Sequence, residues 1–306
     1  MSELNYKHVF NVLVDKTAEY VTENNLKAMV LGISGGIDST VVAAICHEVS
    51  KKTDIPLIGR SLPIKNKSDE FATSVHVGEA FCNEFSVYRL ERSYRAALFD
   101  ACADAGDVNM ANSYHLDELE EMPSRTPIAN GNLQARCRMM YLYDIASRHK
   151  GLVMSTDNQT EYQLGFWTIH GDVGDFDPIQ DLWKTEVYGL AKWISNRYKN
   201  IEHHHTIMTG AGSKSDAIEL SIALTPTDGL GISNSDLDQI GAKDYATVDD
   251  ILQTATNNIF DSTGRWVQPL MEKYSEDVVV KVLSRHVASE FKRKKAPIYI
   301  SRELYE

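Results

Sequence analysis

Residues 28–49 read AMVLGISGGIDSTVVAAICHEV, and this stretch decides the fold. Met29 to Ile33 is an unbroken apolar run of the kind buried on both faces of a parallel sheet. Ser34-Gly35-Gly36-Ile37-Asp38-Ser39 follows, and from Thr40 to Val49 the pattern turns amphipathic and helical. A strand feeding a helix through a Ser/Gly loop creates an anion site. Glycines let the backbone turn and approach a ligand, while the free N–H groups of the first helical turn point at it. A helix terminus contributes only about 0.3–2 kcal/mol to a bound anion, so a polyphosphate needs cations from elsewhere in the chain. The loop has Asp38 where the commoner phosphate loops carry a lysine, and a carboxylate beside phosphates implies a divalent cation between them.

Working outward, residues 4–24 carry Val9, Phe10, Leu13, Val14, Ala18 and Val21 as a helical stripe. Strands are expected over 55–62, 86–90 and 151–155. The intervening helices are placed at 69–85 (capped by Ser68), 94–105 and 133–149, the last following a break at Asn130-Gly131-Asn132. This alternation predicts an α/β fold with a doubly wound parallel sheet, whose ligands bind at the carboxyl ends of the strands. Residues 106–130 lose periodicity and read as a surface segment able to act as a flap. The 165–185 stretch, mixing aromatics, glycines and aspartates, reads as a rigid polar loop before a helix capped by Thr185. Residues 200–224 read as an irregular insertion, in which His203-His204-His205 suits a solvated loop better than a metal site. Short helices capped by Ser233 and Thr247 and a last amphipathic helix from Glu276 complete the chain, taken as one domain over 1–306.

The chain's 306 residues, 43% of them hydrophobic, can build a substantial core. A net charge of −12 argues against nucleic acid as a partner and requires any anionic substrate to be held by local cations. No run approaches a membrane span, and the polar start is unlike a signal peptide. Cys46, Cys82, Cys102 and Cys137 lack metal-ligand spacing and read as reduced thiols of a cytoplasmic protein.

The hexad at 34–39 resembles the pyrophosphate loop of the ATP pyrophosphatases, a superfamily that includes GMP, asparagine and NAD synthetases. Further segments narrow the resemblance to NAD synthetases: Gly131–Met140 (GNLQARCRMM), Ser155–Glu161 (STDNQTE), Gly171–Gly174 (GDVG) and Pro178–Thr185 (PIQDLWKT). Pro226–Leu230 (PTDGL), Leu230–Ser233 (LGIS) and Lys292-Arg293 continue it in the family's order. The resemblance implies a three-layer, Rossmann-like fold of the adenine-nucleotide α-hydrolase type and an ammonia-dependent, ATP-consuming amidation of deamido-NAD, with no amidohydrolase domain ahead of the loop. It implies an acyl-adenylate intermediate, release of AMP and pyrophosphate, Mg²⁺, and a homodimer. By the same resemblance, Gly32, Ser34, Gly35, Gly36, Asp38, Ser39, Thr156, Lys184 and Thr227 hold ATP, and Asp38 and Glu161 share the metal. Arg136, His170, Asp175 and Lys292 contact deamido-NAD, and Asp172 and Asp175 are the candidate acids that take the proton of ammonia. The chain departs from the family at Ile169-His170, where a lysine is usual, at Phe291, where a histidine is usual, and in a Gly-Asp loop one residue shorter, which leaves Asp175 or Asp177 as the matching aspartate. Another amidating ligase with a pyrophosphate loop, or an ATP sensor without turnover, are the alternatives; Asp38, Glu161 and Lys184 together speak against the sensor.

Overall fold

The run Met29–Gly32 is an inner strand of the molecule's sheet, with a strand on either side and helices packed over both faces. A computed structural model describes residues 4–202, 213–226, 235–258, 261 and 263–293. Its element order is α1 (Tyr6–Glu23), β1 (Met29–Gly32), α2 (Ile37–Thr53), β2 (Leu57–Ser61), α3 (Ser68–Phe81), β3 (Glu84–Val87), α4 (Glu91–Asp104), α5 (Leu116–Glu120), α6 (Pro127–His149) and β4 (Leu152–Val153). There follow α7 (Gln159–Leu164), α8 (Lys184–Glu202), α9 (Lys214–Ala223), α10 (Asp236–Ile240), α11 (Tyr245–Asn257), α12 (Val267–Lys273), α13 (Glu276–Ala288) and α14 (Glu290–Arg293).

The sheet is parallel with order β3-β2-β1-β4, Met29 lying opposite Leu57 on one side and Leu152 on the other. Successive side chains of β1 enter opposite cores, as the two-residue strand period demands. Met29 and Leu31 pack with α1, α2, α8 and α9, whereas Ala28 and Val30 pack with α4 and α6. A third cluster, built on Leu164, Ile240, Val248, Ile251, Leu252, Val279 and Val282, joins α7 to the C-terminal helices. The chain leaves β1 toward β2 and β3 and returns to β4 on β1's other edge. The reversal opens a crevice at the carboxyl ends of β1 and β4, where doubly wound folds bind ligands.

Several expectations need correction. α6 begins at Pro127, so Asn130-Gly131-Asn132 lies inside it. The side chain of Thr126 accepts from Ala129 N (3.1 Å), and proline suits the first helical position, so the helix starts nearly two turns before its periodic stripe. α2 likewise starts at Ile37, three residues earlier than its apolar pattern shows. Lys67, not Ser68, holds the N-cap position of α3, and Asp244 caps α11 by accepting from Thr247 N. The expected insertion contains α9, which Ser213 caps and which is anchored to α2 by the buried contact of Ser221 with Thr40 (2.7 Å). Within 106–130, α5 buries Leu119 completely under α4 and α6. His203-His204-His205, Thr227 and Ser233 lie outside the described residues.

Candidate active site

The loop from β1 into α2 owes its shape to Gly35, at φ +90°, where a Cβ would stand 2.5 Å from the Glu70 carbonyl oxygen and 2.9 Å from Ser74 N. Only glycine fits there. Ser34 Oγ accepts from Gly36 N (3.1 Å) and meets Ser39 Oγ (3.0 Å), closing the loop on itself. Gly36 is the N-cap of α2 and provides no side-chain cap, so the first helical turn keeps N–H groups for an anion.

Across the crevice the chain leaves β4 through Ser155-Thr156-Asp157 into α7. Fully buried Asn158 caps α7: its Oδ1 accepts from Glu161 N (3.1 Å), and its own N–H donates to Glu161 Oε2 (3.3 Å). Its Nδ2 donates to Asp38 Oδ1 (2.9 Å), so one amide sets both carboxylates. The Asn-x-x-Glu pattern of a capping box was the available sequence signal, and it identifies a positioning residue that motif matching passes over. Lys184, only 2% exposed, enters from the start of α8 and donates to Asp38 Oδ2 (2.6 Å) and Glu161 Oε1 (2.8 Å). The main chain at this corner is held by Thr160 Oγ1, which accepts from Lys184 N (2.9 Å), and by Asp249, which accepts from Thr185 N (2.9 Å). Thus residues 38, 161 and 184, far apart in the chain, share one contact.

The electrostatics follow from this burial. Burial pushes the Glu161 carboxyl up to about 7, with Asp38 adding to the rise and Lys184 opposing it. Burial alone would lower Lys184, but Asp38 and Glu161 hold it well above the ordinary lysine range, so it stays charged. Burial also raises Asp157 well above the carboxylate range, reinforced by Asp172 and Glu161.

Loop, triad and crevice enclose a cavity of about 320 Å³. Gly32, Ser34, Gly36, Asp38, Ser39, Thr156, Glu161, Asp172 and Lys184 line it, as do Arg60, Arg138, Asp157 and Asp236, which motif reading did not select. Asp172 accepts from Thr168 N (2.7 Å) and faces the cavity; desolvation in the cleft raises its carboxyl. Asp175 does not line it: its oxygens accept from Val153 N (2.9 Å) and Tyr143 Oη (2.8 Å), fastening the loop to β4 and α6. Asp177 is turned to its own chain, accepting from Ile179 N (3.0 Å). Nor do the residues matched to the dinucleotide enter it. Arg136 is exposed and donates to the Ile169 carbonyl (3.1 Å), His170 is exposed at φ 55°, and Lys292 donates to the carbonyls of Gly165 (2.7 Å) and Trp167. No described residue of the 106–130 segment reaches the cavity.

The sequence matches the family described as NAD synthase over residues 9–296. An NH(3)-dependent NAD(+) synthetase of Wolinella succinogenes is 30% identical over 241 residues, which are 78% of this chain and 80% of that protein. Among solved structures, an NMN synthetase from Francisella tularensis has the same fold, with a TM-score of 0.70 and 23% identity over 98% of this chain and 100% of that one. The NH3-dependent NAD synthetase of Campylobacter jejuni superposes with a TM-score of 0.63 at 21% identity, over 97% of this chain and 100% of that one. With a strand–loop–helix anion site at the sheet's reversal and a family match spanning all three cores, the chain belongs to the NAD synthase family.

Proposed function

We propose that this protein joins ammonia to the nicotinate carboxylate of deamido-NAD, consuming ATP and releasing AMP and pyrophosphate. The observation that carries the reading is the meeting of Asp38, Glu161 and Lys184 beside the open N-terminus of α2. A protein that only bound a phosphate would gain nothing from two carboxylates there, since they repel it.

The carboxylates suit Mg²⁺. They converge on a single cation, the Lys184 ammonium, and no group of three or more acidic, His or Cys side chains capable of caging a metal occurs among the described residues. One or two carboxylates completed by phosphates and water is the usual magnesium environment. When bound, Mg²⁺ would neutralise phosphate charge as the α-phosphorus is attacked.

The chain's own groups account for the rest. The α2 N–H groups cradle phosphate, and Lys184, which a metal held by the two carboxylates would leave free, offsets charge growing on the leaving pyrophosphate. Thr156 and, from the resemblance, Thr227 contact the nucleotide. In the first step a carboxylate oxygen bonds to the α-phosphorus while the bond to the β-phosphate oxygen breaks, its electron pair leaving with pyrophosphate. In the second, ammonia attacks the acyl carbon, AMP departs, and Asp172 takes the excess proton.

Purified protein supplied with deamido-NAD, ATP, Mg²⁺ and ammonium is expected to form NAD and AMP one to one. ATP consumption without NAD would overturn the reading. Asp172→Asn is expected to preserve exchange of labelled pyrophosphate into ATP and to lower NAD formation by about 10²- to 10⁴-fold. Asp175→Ala instead loses two hydrogen bonds, each worth about 0.5–1.5 kcal/mol, and lowers Tm while keeping both half-reactions. Equal kinetic damage from the two variants would contradict these assignments.

A second acyl substrate, nicotinate mononucleotide, is favoured by the placement of Arg136, His170 and Lys292 outside the cavity, which leaves its lining without the cations matched to the dinucleotide. The ratio of kcat/KM for the two acids decides between them. We also infer a cytoplasmic homodimer. The four free thiols fit a reducing compartment, and Arg136, Met140 and Tyr143, exposed along one face of α6, are where a second copy would pack. No helix among the described residues is long and apolar enough to cross a membrane.

A further inference from the structure

Arg60, Arg138 and Lys184 are the cations that line the cavity among the described residues, and their partners differ. Arg60 is ion-paired with Glu84, and Lys184 with Asp38 and Glu161. Arg138 has no carboxylate of a described residue at ion-pair distance. It donates Nε to the Leu62 carbonyl (3.1 Å) and Nη2 weakly to Asn66 Oδ1 (3.4 Å). Burial lowers its pKa, and the strongest opposing influence is the Asp172 carboxylate, which lines the same cavity. A half-buried guanidinium hydrogen-bonded only to neutral oxygens is a receptor for an anion.

Its surroundings leave room for one. Gly131, Ala135, Arg138, Met139 and Leu142 line the cavity as one stripe of α6. Helical side chains lean toward the N-terminus, so the guanidinium lies over the turns carrying Ala135 and Gly131, which are too small to fill the space. That Arg138 and Asp172 line the same cavity says which part of the substrate belongs here. If Asp172 takes the ammonia proton, as the reading above has it, the acyl carbon must come to the same neighbourhood.

We propose that Arg138 docks the carboxylate of the acyl substrate, its planar fork holding the group so that one oxygen can attack the α-phosphorus. This rests on the amidation reading and adds the residue that recognises the acid as an acid. The carboxylate oxygen forms the new bond to phosphorus, pyrophosphate leaves with the electron pair of the broken bond, and no proton moves. The acyl group thereby loses its full charge, and the hold of Arg138 on it weakens before ammonia attacks.

Substrate and product supply the test, because deamido-NAD and NAD differ at the carboxylate and the carboxamide. In Arg138→Gln the KM for deamido-NAD is expected to rise about 10- to 100-fold, with the KM for ATP and the inhibition constant of NAD each within about threefold of the parent. Arg138→Lys, which keeps the charge and loses the fork, is expected to fall between the two. An equal rise in the KM for deamido-NAD and the inhibition constant of NAD would show that Arg138 holds a shared part of the ligand, or only the fold around Leu62 and Asn66. An unchanged KM for deamido-NAD would equally overturn the assignment. Failure of the parent protein to amidate deamido-NAD is a separate result, and it counts against the amidation reading itself.

Discussion

Asp38→Asn is expected to lower AMP and NAD formation by about 10³-fold while the protein remains folded. The Asp38 carboxylate stands in the first turn of α2, beside the phosphate loop, and reaches both Lys184 Nζ (2.6 Å) and Asn158 Nδ2 (2.9 Å). Asparagine preserves size and one acceptor oxygen, so Asn158 or Lys184 can still be partnered, and Glu161 continues to neutralise Lys184. What is lost is half of the negative charge that the proposed metal site would offer. Lewis-acid stabilisation of a transferring phosphoryl group is worth several kcal/mol, and each 1.36 kcal/mol is a factor of ten in rate, so a fall of about 10³-fold in kcat/KM is expected. Excess Mg²⁺ should recover part of it. Near-parental turnover at limiting Mg²⁺, with an unaltered circular dichroism spectrum, would remove Asp38 from the metal site.

Lys184→Met should have the larger effect on stability. Its side chain is almost wholly buried, and removing one partner of a buried charge cluster costs about 3–5 kcal/mol, because the remaining charges lose their compensation. Asp38 and Glu161 would then face each other unopposed. The sign of the pH dependence follows from proton counting. The Glu161 carboxyl already titrates near 7 with Lys184 present, above its ordinary value of 4.5, and the ammonium is what restrains it. Without the lysine, the folded variant binds a proton more tightly still, whereas the unfolded chain releases it near 4.5. Between those values the folded state holds more protons, so stability rises as pH falls and is lost as pH rises through the folded pKa. The loss in Tm relative to the parent is therefore expected to be greatest near pH 8 and smaller near pH 6. Millimolar Mg²⁺ should restore part of it at pH 8 by replacing the missing cation. A deficit independent of both pH and Mg²⁺ would mean that Lys184 supports the fold by packing alone.

The loop at 34–39 was legible in the sequence because its constraints are local. An apolar strand, a Ser/Gly turn and a helix start are adjacent in the chain, and Gly35 is required by backbone geometry there. The parallel sheet was legible for the same reason, since the alternation of strand and helix leaves few connected topologies. Element ends were less so. Thr126 and Pro127 start α6 ahead of its apolar stripe, and α9 was hidden because its buried side, Ser215, Ala217, Ile218 and Ser221, is small and half polar.

The sequence by itself pointed to the kind of chemistry: a Ser/Gly loop with a carboxylate where a lysine is commoner, a second carboxylate at 161 to share a metal with it, and a cation for phosphates at 184. Only the tertiary structure decided which side chains share the cavity. Asp172 and Asp175 are three positions apart, yet one faces the cavity and the other fastens its loop to β4 and α6. Arg136 and Arg138 are two apart on one helix, and the 100° turn per residue sends the first outward and the second inward. Asn158 has no chemistry of its own and matters because the reversal of the sheet between β1 and β4 sets its amide against Asp38. Motif spacing specifies residue type and order; the direction of a side chain is set by the packing of elements that meet only after the chain has folded.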